Sequence, residues 1–367
     1  MELREIELIR IIMPLKEAFE TSFGSIKDRP CILVRAVERG GEEGWGEVVA
    51  GEGPWYSYET VDTAWHVLKD FILPLIGKDI EPEEFHKRVS RIRGHNMAKA
   101  GVEEALWDLK AKLEEKPLYE VIGGVRRSVE VGVSVGIKGS LSELLRSVNR
   151  FIEEGYHRIK LKVKPGWDVE VVEGLRTCWP DIDLQVDANG AYSLRDAEHL
   201  RKLDGFNLLM VEQPLAFDDL VDHAELARRL RTPLCLDESI KGLGEAKVAD
   251  RLGSCEIINI KPGRVGGLVP SKAIHDLWYS KKRGVWIGGT LETGIGRGHL
   301  VALATLKGVR YPSDISASDR YYEEEIVEPP WIQKEGKIDV RKAAGIGVDV
   351  LYDKIEKIVE KKQVFKI

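Results

Sequence analysis

The chain has 367 residues, 43% of them hydrophobic, which is enough for a barrel-sized core and a second domain. Its formal net charge of -6 gives no reason to expect nucleic acid or an anionic membrane as a partner. No apolar run approaches the length of a membrane span, and the opening MELREIELIRIIMPL carries charges through its apolar stretch, unlike a secretory signal. Cys31, Cys178, Cys235 and Cys255 show neither metal-ligand spacing nor close pairing, so a reduced, cytoplasmic protein is expected.

The N-terminal third reads as α+β. Residues 5–14, 31–38 and 44–49 have the composition of strands in a meander, with GGEEG (40–44) as a turn. Helical patterns follow over 57–75, 82–92 and 99–113. The stretches 19–24 and 51–58 read as irregular and aromatic. They are expected to act as lid loops that bring Phe19, Phe23 and Tyr56 over a site.

Near Gly123 the rhythm changes to alternating strand and helix signals. Strands are expected within 129–135, 158–164, 183–188, 208–214, 233–238, 256–261, 285–289 and 314–317, and a closed barrel needs eight. After Asp319 the alternation stops, and the tail is expected to pack back on the N-terminal domain. The expected fold class is α/β: a (β/α)8-type barrel (a modified TIM barrel) with an N-terminal α+β capping domain completed by the C-terminal tail. The expected units are 1–123, 124–318 and 319–367.

Five charges pace this middle region: Lys162, Asp187, Glu212, Asp237 and Lys261. The steps are 25 (162 to 187), 25 (187 to 212), 25 (212 to 237) and 24 (237 to 261). That is the repeat of one β/α unit, so each charge ends a successive parallel strand, on the face that carries barrel chemistry. One alternation rule points all five into the barrel mouth. It sends Ile159, Leu161, Leu184, Val186, Val211, Leu234, Leu236, Ile258 and Ile260 outward. Converging carboxylates repel one another and lose solvation, so Asp187, Glu212 and Asp237 are expected to hold a cation. Ligation by acids alone favours Mg²⁺ or Mn²⁺ over zinc.

Lys-x-Lys on the second strand, the three acids and the sixth-strand lysine resemble the muconate-lactonizing branch of the enolase superfamily. The likeness extends through IKLKVKPGWDV (159–169), LQVDANGAYSL (184–194), VEQPL (211–215), TPLCLDESI (232–240), NIKPGRVGG (259–267), GGTLETGIGR (288–297) and SDISASDRYY (313–322). FETSFG (19–24), GWGE (44–47) and GHNMAKAGVE (94–103) also fit. These stretches are similar to the group containing o-succinylbenzoate synthase and N-succinylamino acid (N-acylamino acid) racemase. Thr290 departs from the pattern, standing where the group has Met.

The resemblance implies abstraction of a proton α to a carboxylate, with Mg²⁺ stabilising the ene-diolate as it forms, a logic general to this superfamily. It implies a small carboxylate substrate with a succinyl arm, and a homo-oligomer. Lys162 and Lys261 would address opposite faces of the α-carbon. Lys160 would favour a neutral base beside it, or serve as a structural ion-pair partner. Asn189 and Asn259 would orient ligands, or simply hydrogen-bond within the barrel. Arg264, three residues past Lys261, is either a cation acting on it or a surface residue. Free amides in the glycine-rich stretch at Gly289 and Thr290 would hold the succinyl carboxylate, with Ser134 as a further contact.

Two reactions share these groups. Dehydration uses Lys162 as base and acid on one face, with Lys261 stabilising the ene-diolate. Racemization passes a proton from one lysine to the other. Other classes remain to be tested. A Schiff-base aldolase also needs a strand-end lysine, but leaves the three acids unexplained. A relative that only binds ligand should lack one of these groups.

Overall fold

The computed structural model describes residues 1–22 and 24–367. Three N-terminal strands form an antiparallel meander: β1 (Leu3–Thr21), β2 (Gly24–Glu38) and β3 (Glu43–Val48). Strand alternation divides β1 between two cores. Ile6 and Leu8 pack with the N-terminal helices, while Ile9, Ile11 and Met13 join the larger core around the barrel. The segment 19–24, expected to be irregular, is instead largely a hairpin end. After a register break between Pro14 and Phe19, Phe19 pairs with Ile26 and Thr21 with Gly24. Phe23 lies outside the described residues. Residues 51–58 form turns and bends, as the sequence suggested.

The helix expected over 57–75 is divided. A capping box at Thr60 starts Val61–Val67, a π-turn follows over Leu68–Ile72, and Leu73–Leu75, with Pro74 inside it, is 3-10. The long helix Asn96–Leu113 lies directly on β3. The GWGE motif permits this approach. A Cβ on Gly44 would stand 2.1 Å from the Ala105 carbonyl oxygen, and one on Gly46 would stand 2.1 Å from that of Gly101.

The barrel sheet has seven parallel strands in sequence order: Val133–Val135, Arg158–Lys162, Asp183–Asp187, Val211–Glu212, Leu234–Leu236, Ile257–Ile260 and Gly284–Ile287. The expected eighth strand, 314–317, is not a strand. Residues 310–314 occupy that position instead. Arg310 N donates to Val285 O (3.0 Å) and Asp314 N to Ile287 O (2.8 Å); Gly132 N donates to Ser313 O (2.9 Å). Pro312 has no N–H, which interrupts a regular ladder here. The outward residues of every central strand enter the main core, as alternation required. Met210, Cys235, Ile257 and Trp286 fill the barrel interior.

The tail has several partners. Lys337–Asp339 pairs with Ser128–Glu130, Asp349–Val350 pairs with Val327–Glu328, and the final strand Val359–Lys366 pairs with β1. Two buried acids from the N-terminal region also cap barrel helices. Glu47 accepts from the Thr293 amide (3.0 Å) and hydroxyl (2.7 Å) at the start of Gly294–Ala304. Glu103 accepts from the amides of Leu268 and Val269 (2.9 Å to the latter) at the start of Leu268–Ser280. These carboxylates satisfy first-turn donors and complement the helix dipole. Replacing Glu103 by Ala orphans two buried amides. It should cost about 1–2 kcal/mol and, in a chain of 367 residues, lower the thermal midpoint by about 1 °C for each kcal/mol lost. Scanning calorimetry of E103A checks this, and an unchanged midpoint would refute the capping role.

Candidate active site

Parallel pairing sets the site charges side by side. Lys162 is in register with Asp187, and Asp187 with Glu212. Asp237 and Lys261 each follow the last residue of the fifth and sixth strands. The three acids are fully buried, and oxygen atoms of all three lie within 4.8 Å of one another. Three acids converging without His or Cys suit a hard divalent cation, so this triad can hold a metal.

Each acid is tied to cations or amides. Asp187 meets Lys162 at 2.6 Å and Lys160 at 3.3 Å, and accepts from the Asn189 amide at 3.1 Å. Glu212 meets Lys160 at 3.2 Å and accepts from Asn259 Nδ2 at 2.6 Å and Gln185 Nε2 at 3.4 Å. Asp237 meets Lys261 at 2.8 Å, accepts from the Tyr56 hydroxyl at 2.8 Å and pairs with Arg264. Arg264 is therefore a buried partner of the triad, not a surface residue. Asn189 also accepts from Lys162 (2.7 Å) and donates to Glu238 (2.8 Å), a buried acid beside Asp237 that strand alternation points away from the other three and that is the first substitute for Asp237 as a ligand.

Protonation follows from this crowding. Burial, then the charge of Asp187, push Glu212 up to about 8 against the pull of Lys160. Burial opposes ionisation of Asp237 too, but Lys261 and Arg264 outweigh it and hold the carboxyl below its usual range. Burial acts to lower Lys261, and Asp237 and Tyr56 overcome it, so the ammonium form is favoured in this environment.

A cavity of about 400 Å³ opens over the triad between the N-terminal region and the barrel mouth. Phe19, Tyr56, Ser134, Lys160, Lys162, Asn189, Lys261, Gly289 and Thr290 all line it. Two expectations change in detail. The Thr290 amide is not free: it donates to the Glu292 carboxylate at 2.8 Å, and the Thr290 hydroxyl does so at 2.6 Å. The hydroxyl is where the group pattern has a methionine, so the departure adds a hydrogen bond that a thioether could not donate. Ser134 donates to Asp314 at 3.0 Å. Sequence reasoning also missed Arg29, which is buried in the cavity wall. It donates to Thr290 O (3.1 Å), Val49 O (2.6 Å) and Ala50 O (3.2 Å), joining both walls. Its ligands come from segments far apart in the chain, and no local pattern marks it.

A fold of this type, with carboxylates on three successive strand ends, defines a class, and comparison with known proteins agrees. Residues 143–354 match the enolase C-terminal domain-like family, and residues 4–123 match the N-terminal domain of mandelate racemase / muconate lactonizing enzyme. The chain belongs to this branch of the enolase superfamily and is an enzyme. An o-succinylbenzoate synthase from Geobacillus stearothermophilus is 50% identical over 355 residues, 96% of this chain and 95% of that one. An N-succinylamino acid racemase from Thermus thermophilus is 46% identical over 360 residues, 98% of this chain and 97% of that one. The crystal structure of an enolase-superfamily member from Listeria innocua superimposes with a TM-score of 0.96 at 38% identity, covering 100% of this chain and 99% of that one.

The state of Glu212 gives a measurable linkage. With its carboxyl raised to about 8, it is protonated at neutral pH and must ionise to ligate a cation. Metal affinity should therefore fall as pH drops below that value. Titration calorimetry in buffers of different ionisation heat should show about one proton released per metal at pH 7 and fewer at pH 9. Equal release at both pH values would show that Glu212 is already ionised.

Proposed function

We propose that the chain is an o-succinylbenzoate synthase of menaquinone biosynthesis, acting in the cytoplasm. It converts 2-succinyl-6-hydroxy-2,4-cyclohexadiene-1-carboxylate to o-succinylbenzoate by loss of water. One observation carries this reading. Lys162 and Lys261 flank the acid triad from the second and sixth barrel positions, which are opposite in a ring of eight. The names of relatives at 50% and 48% identity support the synthase as the particular activity.

The groups divide the work. Asp187, Glu212 and Asp237 would hold Mg²⁺, with Mn²⁺ as a substitute. A divalent cation there supplies positive charge that lowers the cost of the ene-diolate. Lys162 removes the α-proton and returns a proton to the departing β-hydroxyl on the same face. Lys261, held as an ammonium by Asp237, stabilises the developing negative charge. Dehydration needs Lys261 charged, and its contact with Asp237 favours that form. Asn189 and Asn259 orient Lys162 and Glu212 through the contacts described above. The N-terminal unit, residues 1–123, closes the cavity with Phe19 and Tyr56.

N-succinylamino acid racemization is the second reading. It is favoured by the same two-lysine arrangement and by racemases at 46% and 45% identity. The succinyl arm is common to both substrates, and the cavity has room beyond the lysines for either a ring or a side chain.

Two measurements test these readings. The kcat/KM values for the two substrates, taken on one preparation, should favour the dehydration. A racemase value well above it would reverse the order, and activity on neither would remove both. In deuterated solvent, Lys162→Ala should stop α-proton exchange for one enantiomer of an N-succinylamino acid, and Lys261→Ala for the other. Equal residual exchange of both enantiomers in each variant would sink the two-face arrangement.

A further inference from the structure

The second barrel strand sends three cations inward in succession: Arg158, Lys160 and Lys162. Lys162 rests on Asp187 and Asn189. Lys160 is contested. Its ammonium lies 3.3 Å from Asp187, 3.2 Å from Glu212 and 2.6 Å from Asp314. Two of those three carboxylates belong to the metal triad. An ammonium moved further toward them would compete with a divalent cation for their carboxylate oxygens.

Asp314 is built to prevent that movement. Its backbone amide is fixed to Ile287 O at 2.8 Å, in the segment that closes the barrel. One carboxylate oxygen accepts from Arg158 at 2.9 Å, and the other accepts from Ser134 at 3.0 Å while holding Lys160. Arg158 is itself pinned by Pro312 O at 2.8 Å, and its guanidinium lies 5.3 Å from the Trp286 ring centroid. The carboxylate has no freedom to follow Lys160 toward the triad.

We propose that Asp314 is a positioning residue that acts through Lys160, drawing its ammonium closest to itself (2.6 Å) and so limiting its hold on Asp187 (3.3 Å) and Glu212 (3.2 Å), which leaves these acids able to turn to a divalent cation. The inference rests on the metal-centre reading of the triad. It gives Lys160 a fixed post at the wall of the cavity, and it gives the eighth barrel position a role although no strand forms there. It also explains why Ser134 faces the cavity with its hydroxyl already committed: it completes the anchor.

The test is a double-mutant cycle read by Mn²⁺ titration calorimetry, which needs no substrate. In the Lys160 background, Asp314→Asn should weaken Mn²⁺ binding by about tenfold, because the freed ammonium competes for Asp187 and Glu212. In the Lys160→Met background there is no ammonium to release, and the same substitution should cost less than about threefold. An equal cost in both backgrounds would overturn the proposal, leaving Asp314 as a charge partner for Arg158 alone. Should Asp314→Asn fail to fold, Asp314→Glu keeps the charge but shifts it by one C–C bond. It is expected to show the same dependence on Lys160, and no dependence would again overturn the proposal. Absence of Mn²⁺ binding in the unaltered enzyme would instead remove the metal-centre reading, and with it the inference.

Discussion

The barrel mouth is governed by the need to pair buried charge. Asp187, Glu212, Asp237, Glu238 and Asp314 share a small, largely dehydrated volume with Arg158, Lys160, Lys162, Lys261 and Arg264. An isolated ion there would carry a desolvation penalty of several kcal/mol, recovered only when partners sit at hydrogen-bond distance. Every cation in the set meets a carboxylate, and two acids, Glu212 and Glu238, are pushed up to about 8 and about 7, where protonation relieves the remaining repulsion. With these two acids protonated, five cations face three charged carboxylates, so positive charge is in excess even before a metal binds. A divalent cation adds positive charge that these residues do not fully cancel. An anionic ligand is the natural partner for that excess.

Much of this was legible because two periodicities coincide. The β/α repeat sets the charges one strand apart, and strand alternation sets which side they face. Both are local rules, and both survive folding intact: Lys162, Asp187, Glu212, Asp237 and Lys261 do converge. The resemblance to a known superfamily rested on those same residues. What escaped the sequence reading lay where such rules lapse. Asp314 belongs to a segment interrupted by Pro312, so alternation gave no direction for it. Even so, Arg158 shares the inward face of Lys160, and a buried guanidinium requires a counterion. That requirement was a usable signal. Arg29 and the Tyr56–Asp237 bond depend on contacts between distant segments.

Thr290 shows how a single departure is absorbed. Its hydroxyl and amide both donate to Glu292, and its carbonyl accepts from Arg29. The glycine-rich stretch is thereby stiffened from both sides, not left as a set of unpaired amides. Gly288 and Gly289 are required for a different reason. A Cβ on the first would stand 2.1 Å from Asn259 Oδ1, and one on the second 2.6 Å from the Asp314 carbonyl oxygen. Close packing against the residues that orient Glu212 and close the barrel therefore accounts for these glycines.

The N-terminal region is wired to the chemistry, and does more than cover it. The Tyr56 hydroxyl reaches Asp237, Arg29 reaches the Thr290 carbonyl, and Glu47 caps the helix that follows the glycine-rich stretch. These contacts land on the fifth-strand acid, on the loop after the seventh strand and on the helix beyond it. A shift of the N-terminal region would therefore disturb an acid of the candidate metal triad and a cavity wall together. Asp237 joins the two regions: Tyr56 from the N-terminal region and Arg264 from the barrel hold the same carboxylate oxygen, leaving the other for Lys261.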